Sequence, residues 1–364
     1  MRVLQVINSL AVAGAEVLLV EVVRRLKQHG VTSDVYTLKR VGSPLEQTLV
    51  DEGVRLYGLS ARSVYSPGHV LSLVRHLHQQ RYEVIHVHLY PAQLWLAVAA
   101  IMSRTRTSLV TTEHSTYNRR RKWYFWPLDR WMYGQYHRVI CISEATRDSL
   151  NKWMPAMTKR LDGVWNGISL EPFQSAKGYR KEEVIGVDAP LVLSVGRLEP
   201  EKDMQTLVRA MAELKGVHLA IAGEGPERAD LQALIDREGM RERVHLLGRR
   251  VDIPQLLKTA DVYAQSSLWE GFGIAAVEAM ASGLPVVASR VPGLADVVGD
   301  AGVLVEPANP KAFAEQIRRV ITDTKLRRVL SERASHRAQL FNVDRTVEGI
   351  LRVYEQVTGE RSRI

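Results

Sequence analysis

Val262-Tyr-Ala-Gln-Ser-Ser267 leads by way of Leu268 into Trp269-Glu-Gly-Phe-Gly-Ile-Ala-Ala-Val-Glu278, and this passage decides how the chain folds. The first run is strand-like. Glu270 then falls in a loop, where Gly271-Phe272-Gly273 lets the backbone turn sharply and lie close to a ligand. A helix is expected from about Gly273, which puts Glu278 roughly a turn and a half in at 3.6 residues per turn. The first N–H groups of such a helix have no partner inside it and make a ready anion site. Two acceptor-only carboxylates beside free donors suit a ligand with both hydroxyls and phosphates, as a nucleotide sugar has. Taken alone, the glutamate spacing also reads as two solvated charges beside an ordinary helix start. The glycine pair, the preceding strand and the motifs described next favour the ligand.

The strand–turn–helix step repeats outward in both directions. Strands are expected at 191–195, 218–222, 244–247, 262–266, 285–289 and 302–305, with helical patterns at 203–214, 227–238, 253–259 and 274–282. Upstream, strand-like runs at 2–7, 33–38, 54–59, 84–89, 108–113 and 138–143 enclose helical stretches such as 15–29, 69–80 and 91–102. This alternation argues for parallel sheets with helices on both faces. The near-continuously apolar strands are what two covered faces require. The rhythm breaks at Trp165-Asn-Gly-Ile168, Pro172 and the polar stretch 174–183, whose turn formers mark a linker. Helical patterns then run almost unbroken over 311–357. The expectation is an α/β protein of two Rossmann-like domains, 1–168 and 169–342, with ligands at strand C-terminal ends in the cleft between them.

A chain of 364 residues is natural for two domains. With 46% hydrophobic and 24% charged residues it is of the ordinary soluble globular class. The first strand-like run starts almost at once, so no secretory signal is expected. The longest apolar stretch, 94–102, falls far short of the ~20 residues that span a bilayer. The lone Cys141, inside Val139-Ile-Cys-Ile142, rules out an internal disulfide, fits a reducing, cytoplasmic compartment and reads as a small buried hydrophobe. The net charge of +9 is uneven: up to Leu170 there are 22 Lys and Arg against 12 Asp and Glu, and from Glu171 onward 27 against 28. Within the basic half stands Arg119-Arg120-Arg121-Lys122-Trp123-Tyr-Phe-Trp126, followed by Arg130 and Trp131. Such cations beside aromatics suit the headgroup layer of an anionic membrane. The same run also reads as a helix with aromatics packed inward, or as a nucleic-acid contact.

Further motifs lie where strands end. Ser194-Val-Gly-Arg-Leu-Glu-Pro-Glu-Lys202 places Arg197 and Lys202 after a strand, where two cations would clamp a diphosphate, or else be surface charges near a turn. No two aspartates are separated by a single residue, so the usual carboxylate motif of metal-dependent sugar transferases is missing. Positive charge for a departing diphosphate would then come from Arg197, Lys202 and the helix start near Gly273. Gly223 and Gly225, in Ala222-Gly-Glu-Gly-Pro226, would permit close approach of a nucleotide, although the third glycine of the dinucleotide fingerprint is lacking. Gly248-Arg-Arg-Val251 would border a base through its backbone. In the first half Gly14 sits where strand one passes into helix one, and His114 closes the fifth strand, well placed for acid–base work or for a hydrogen bond to a sugar. His86 and His88 alternate on the fourth strand and share a face; with no third ligand evident they read as core or supporting residues rather than a metal pair.

Together these motifs resemble the retaining glycosyltransferases of family 4, which have the GT-B fold. The likeness is carried over 191–307 by Gly196-Arg197…Lys202, Gly223-x-Gly-Pro226, Ala260-Asp261, Glu270…Glu278 and Gly283-Leu-Pro-Val-Val-Ala288. In the first half Gly14, Glu113-His114, Ile142-Ser-Glu144 and Asn166-Gly-Ile168 match in type and order, with Ala13-Gly14 standing for the family's glycine pair. The resemblance implies a sugar-nucleotide donor (UDP- or GDP-linked), retention of anomeric configuration, and no metal or other cofactor. By position, Glu270 would hold donor-sugar hydroxyls and Glu278 the ribose, while N–H groups from Phe272 through Gly273 to Ile274, flanked by Gly271, would face sugar or diphosphate. Arg197 and Lys202 would neutralise the diphosphate, His114 would contact the donor sugar, and a last helix, about 343–364, would return to the first domain. Families of this type are assigned a front-face route in which the leaving phosphate takes the acceptor's proton. A double displacement between two carboxylates about 5 Å apart is disfavoured here because one of them points to ribose. The protein then mainly positions reactants and stabilises charge.

The acceptor is expected to be a hydroxyl of a lipid-linked or surface glycan at the cytoplasmic face of a membrane. Two other readings use the same build. A sugar-nucleotide epimerase would consume donor without an acceptor. A nucleic-acid-binding protein is opposed by the acidic pair and the near-neutral second half.

Overall fold

A computed structural model describes residues 1–11, 14–59, 63–116 and 120–359. The chain begins β1 (Arg2–Ile7), α1 (Gly14–Gln28), β2 (Thr32–Thr37), α2 (Pro44–Asp51), β3 (Leu56–Gly58), α3 (Gly68–Gln79), β4 (Val84–His88), α4 (Ala92–Ser103) and β5 (Ser108–Glu113). It continues α5 (Trp126–Gly134), β6 (Arg138–Cys141), α6 (Glu144–Trp153), β7 (Leu161–Gly163), α7 (Glu171–Ser175), α8 (Lys181–Ile185), β8 (Leu191–Val195), α9 (Met204–Ala210) and β9 (His218–Ala222). Then come α10 (Arg228–Arg237), β10 (Val244–Gly248), α11 (Ile253–Thr259), β11 (Val262–Gln265), α12 (Ile274–Ala281), β12 (Val286–Ser289), α13 (Leu294–Val298) and β13 (Val303–Val305). Three helices, α14 (Pro310–Thr322), α15 (Thr324–Ala338) and α16 (Val343–Gly359), end the described chain.

The elements form two compact units, one of Met1–Gly167 together with α16, the other of Ile168–Asn342. In the first, seven parallel strands run in the order β3-β2-β1-β4-β5-β6-β7. In the second, six run β10-β9-β8-β11-β12-β13. Both orders reverse direction once, between β1 and β4 and between β8 and β11. These reversals are the switch points where open α/β sheets bind ligands, at the carboxyl ends of the strands.

Packing explains the apolar runs. β1, β4 and β8 are buried along nearly their whole length, so each strand loses water on both faces. α16 buries Val343, Val347, Ile350, Tyr354 and Val357, a stripe at helical spacing, against Leu18, Val22 and Leu26 of α1 and Val84, Val110 and Ile140 of the sheet. Each such side chain contributes roughly 1.5–3 kcal/mol when fully withdrawn from water. Caps fix the helix starts: the hydroxyl of Ser143 accepts from the Thr146 N–H, and Asp323 accepts from Leu326. Cys141 is buried, and its thiol is pushed up to about 12 by that burial, which makes it an inert hydrophobe.

Local extents differ from the sequence pattern at the sheet edges. β7, three residues with Asp162 at its centre, was not expected, because it is too short to carry any alternation. β3 pairs only from Leu56 to Gly58 rather than over 54–59, with one side of the strand lacking a neighbour. Among the described residues no helix is long and apolar enough to cross a membrane.

Candidate active site

The second unit brings the loop after β8 against the loop after β11, at its switch point. Ser266 donates from its hydroxyl to the carbonyls of Lys202 (3.1 Å) and Asp203 (2.7 Å), and the Leu268 N–H donates to the Glu201 carbonyl at 2.8 Å. This seam positions the chemistry-bearing side chains. Lys202 Nζ reaches Glu270 Oε1 at 2.5 Å, and the same oxygen accepts from Gln265 Nε2 at 2.7 Å and Ser267 Oγ at 2.8 Å. Gln265 Oε1 in turn accepts from the Tyr263 hydroxyl at 3.1 Å. Glu270 is 9% exposed, so its charge is tolerated because one ammonium and two neutral donors converge on it.

Glu278 lies in the second turn of α12, after Gly273, whose φ of 100° is open to glycine alone at little cost. Its carboxyl makes no side-chain hydrogen bond among the described residues, and burial pushes it up to about 7. The backbone N–H groups of Gly273 and Ile274 likewise have no acceptor among the described residues. Half-buried carboxyl and open helix start together leave this end of α12 short of partners. The ring of Phe272 is buried, edge-on to Phe341 with centroids 5.5 Å apart, so that residue offers a ligand only its backbone.

Three expectations need correction. Arg197 does not converge with Lys202: its side chain is 63% exposed, bonded to Glu199 and 3.7 Å from Glu201, two acids of its own loop. Gly223 and Gly225 are needed first for packing between loops. A Cβ at Gly223 would stand 1.8 Å from the Gly196 carbonyl oxygen, and one at Gly225 would stand 2.3 Å from that of Leu198. The backbone of this loop joins its neighbours through Gly196 N–H to Ala222 O (3.1 Å), Leu198 N–H to Glu224 O (3.0 Å) and Gly223 N–H to Gly248 O (2.8 Å). The third correction concerns the basic aromatic run. Arg119 lies outside the described residues, and Arg120 is turned inward, 2.8 Å from the buried Asp129 and stacked 3.6 Å over the Tyr90 ring. Arg121 donates to the Thr116 carbonyl and the Ser149 hydroxyl. Lys122, Trp123, Tyr124, Trp126 and Arg130 remain exposed, Trp123 by 84%. At the end of β10, Val251 is 95% exposed, an apolar surface set beside the Arg250–Asp252 pair.

In the first unit Gly14 opens α1; the two residues before it lie outside the described residues. Asn8 ties the ends of β1 and β4, donating to the Tyr90 carbonyl at 2.8 Å and accepting from the Ala92 N–H at 3.1 Å. His114 follows β5, its imidazole pushed down to about 4 by burial. It borders a cavity of about 500 Å³ whose walls include Tyr65, Tyr90, Gln93, Glu113 and Phe125. His86 and His88 do share a face, with rings 4.2 Å apart, and both are buried. They belong to a hydrogen-bonded chain with Gln5 and Tyr354 that reaches His114. The composition signal for Gln5 and Gln265 was an amide within an otherwise apolar buried strand, inside β1 for the one and at the end of β11 for the other.

Two Rossmann-like parallel-sheet units, one with an acid–base cluster at its switch point, are the build of GT-B glycosyltransferases. A model of glycosyl transferases group 1 matches residues 176–337, and one of glycosyltransferase family 4 matches residues 12–172. The chain belongs to glycosyltransferase family 4. It is 34% identical over 253 residues to the D-inositol 3-phosphate glycosyltransferase of Salinispora tropica, across 62% of this chain and 52% of that protein. It is 28% identical over 304 residues to the UDP-Gal:alpha-D-GlcNAc-diphosphoundecaprenol alpha-1,3-galactosyltransferase of Escherichia coli, across 78% of each. The chain spans about half the length of the first curated relatives it matches. The structure of HepE from Anabaena in complex with UDP shares the fold, with a TM-score of 0.84 at 23% identity over 98% of this chain and 100% of that one. Family membership does not favour the epimerase alternative.

Proposed function

We propose that this chain moves a hexose from a UDP- or GDP-linked donor to a hydroxyl of a lipid-linked or surface glycan, retaining the anomeric configuration and needing no metal. The observation that carries this reading is the Lys202–Glu270 pair, buttressed by Gln265 and Ser267 at the switch point beside α12. In this reading Glu270 takes hydroxyls of the donor sugar. Lys202 is already held in place by its bond to Glu270, so it stabilises negative charge on the departing diphosphate without reorganising. The N–H groups of Gly273 and Ile274 supply further donors. Glu278 takes the ribose hydroxyls, whose donation gives its carboxylate the partners it lacks and draws its pKa down again. Arg197 contributes only by exchanging Glu199 for a phosphate, so the larger share of charge neutralisation falls to Lys202. Val251 offers the base an apolar surface.

For the acceptor, the cavity bordered by His114 presents Tyr65, Tyr90 and Phe125, flat faces that suit sugar rings. The exposed Trp123, Tyr124 and Trp126 with Lys122 and Arg130 support docking on an anionic membrane surface, where a lipid-linked acceptor would be met. The Escherichia coli relative is named for a diphosphoundecaprenol-linked substrate, which is consistent with that placement. The test is a panel of UDP- and GDP-sugars scored for thermal stabilisation and donor consumption, with and without chelator. A donor that binds the folded state at a hundred times its Kd adds about 2.7 kcal/mol of stability. If no sugar nucleotide stabilises the protein or is consumed, the proposal is wrong. If consumption stops with EDTA, the metal-independent part is wrong.

A further inference from the structure

The first unit carries a run of buried polar side chains that the donor and acceptor assignments leave unused. Gln5 stands at the centre of β1, His86 and His88 on β4, Thr112 on β5 and Tyr354 on α16; all five are buried. His88 Nε2 lies 3.0 Å from Gln5 Oε1, His88 Nδ1 lies 3.3 Å from His114 Nε2, and Gln5 Nε2 donates to the Tyr354 hydroxyl at 3.0 Å. His86 completes the set, with Nδ1 2.7 Å from the Tyr354 hydroxyl and Nε2 2.7 Å from Thr112 Oγ1. Burial pushes all three imidazoles below their ordinary range, so each is neutral and carries one N–H.

Proton counting then leaves one arrangement. An amide oxygen only accepts, so His88 must carry its proton on Nε2 to meet Gln5. Its Nδ1 is then bare and must accept from His114, which therefore carries its own proton on Nε2. At the other end Tyr354 accepts from Gln5 and donates to His86 Nδ1, so the proton of His86 sits on Nε2 and faces Thr112. Every bond has one donor and one acceptor. The polarity of the whole chain follows from which end of the Gln5 amide faces His88.

Building on the transferase reading above, we propose that the Tyr354–Gln5–His88 chain fixes His114 as the tautomer protonated on Nε2, so that Nδ1 accepts a hydrogen bond from a substrate hydroxyl. Nδ1 of His114 has no partner among the described residues, and the residue borders the cavity. Gln5 and His88 are positioning residues that act through His114. The remote α16, through Tyr354, holds the Gln5 amide in the orientation that sets the direction of donation. A hydroxyl that donates to a nitrogen base has its oxygen made more nucleophilic, which suits an acceptor; a donor-sugar hydroxyl held this way is oriented with equal force.

Two measurements on the full chain test this, one independent of turnover. Long-range proton–nitrogen correlation spectra of histidine-labelled protein, with His114 assigned through His114→Gln, read the tautomer directly at pH 8. Protonation on Nε2 is expected; a ring of His114 protonated on Nδ1 overturns the proposal whatever the enzyme does. The second uses Gln5→Glu and Gln5→Met with the sugar nucleotide consumed most rapidly in the panel described above. A glutamate keeps an acceptor facing His88 and is expected to retain turnover within about threefold and the same His114 tautomer. The methionine removes that acceptor and is expected to lower kcat at least tenfold, with the KM for the donor held within about twofold. A folded Gln5→Glu protein as impaired as Gln5→Met would mean that the amide donates to His88, the reverse polarity. If the panel yields no consumed donor, the transferase reading fails by itself, and the spectrum still decides the tautomer.

Discussion

Replacing Lys202 with methionine keeps most of the volume and removes the charge that meets Glu270. The carboxylate would remain 9% exposed, without its ammonium partner but still accepting from Gln265 and Ser267. Breaking a fully buried pair by removing one partner costs about 3–5 kcal/mol. Lys202 is 22% exposed and two donors remain, so a smaller cost than that range, about 2–3 kcal/mol, applies here. For a unit of this size each kcal/mol moves Tm by about 2–4 °C, so the transition should fall by roughly 5–10 °C. Glu270→Gln removes the charge while keeping an oxygen for Gln265 and Ser267, and should cost less. The informative protein is the double variant. With neither charge present, no uncompensated carboxylate is left, and it should recover at least half of the loss caused by Lys202→Met. The coupling between the two sites should then exceed about 1 kcal/mol, well above the roughly 0.3–0.5 kcal/mol within which independent sites add. Thermal or urea unfolding gives the cycle, and steady-state assays on the same proteins give turnover. Stability should return in the double variant, while kcat should stay at least tenfold down in all three, about 1.4 kcal/mol of transition-state stabilisation. Strictly additive stabilities would refute the claim that the ion pair holds Glu270 in place. Near wild-type turnover in either single variant would remove that residue from the proposed chemistry.

Other outcomes follow from the same geometry. Glu278 has its pKa raised from 4.5 to about 7, so the folded state holds a proton that the unfolded chain releases between those values. Its contribution to stability is complete below about pH 4.5 and is lost as the pH rises through 7. Glu278→Gln should therefore stabilise the protein at pH 8 relative to wild type, by on the order of 2 kcal/mol for a partly hydrated group and seen as a higher Tm, and leave it little changed at pH 4.5; an equal effect at both pH values would contradict the shift. Gly223→Ala would drive a methyl against the Gly196 carbonyl, where only backbone can yield, and should cost more than about 2 kcal/mol by urea unfolding; a neutral result would mean that the loops after β8 and β9 are not so closely joined. Trp123→Ala combined with Trp126→Ala should reduce flotation with vesicles containing anionic lipid at least severalfold without lowering Tm, since both indoles are exposed; unaltered flotation would separate this patch from any membrane contact.

Much of the architecture was legible because its causes are local. Apolar runs alternating with amphipathic stretches dictate parallel strands and covering helices whatever lies elsewhere, and Gly273 announces the start of α12 by itself. The edges were not legible: β7 owes its existence to Val139 and Cys141 of β6 rather than to any pattern within Leu161–Gly163. Within the site, the sequence placed Glu270 and Lys202 at strand ends. That they touch depends on β8 and β11 being neighbours, a fact of strand order that no spacing reveals. The inward turn of Arg120 was equally hidden, because its partner Asp129 lies on α5 and is reached only once that helix packs. For Arg197 the signal was present: Glu199 and Glu201 stand two and four residues away, near enough to compete with any phosphate for the guanidinium. Gln5 and Gln265 show the most useful lesson, since an amide in an apolar strand is costly unless it serves a hydrogen-bonded chain.

The order in which this chain can be built carries a further consequence. α16 covers Val84, Val110, Ile140 and Val164, residues synthesised long before it, and Gly349 lets it approach Val164 so closely that a Cβ there would stand 2.7 Å from a valine methyl. On a ribosome adding about 5–20 residues per second, the whole of 168–342 emerges during a wait of roughly 10–35 s. Through that interval the first unit is a sheet with one flank bare and sticky, whereas the second has all its strands contiguous in the message and can close without delay. Maturation thus runs backwards: the later-made half is finished first, and the earlier half stays open to chaperones and proteases until the last helix seals it.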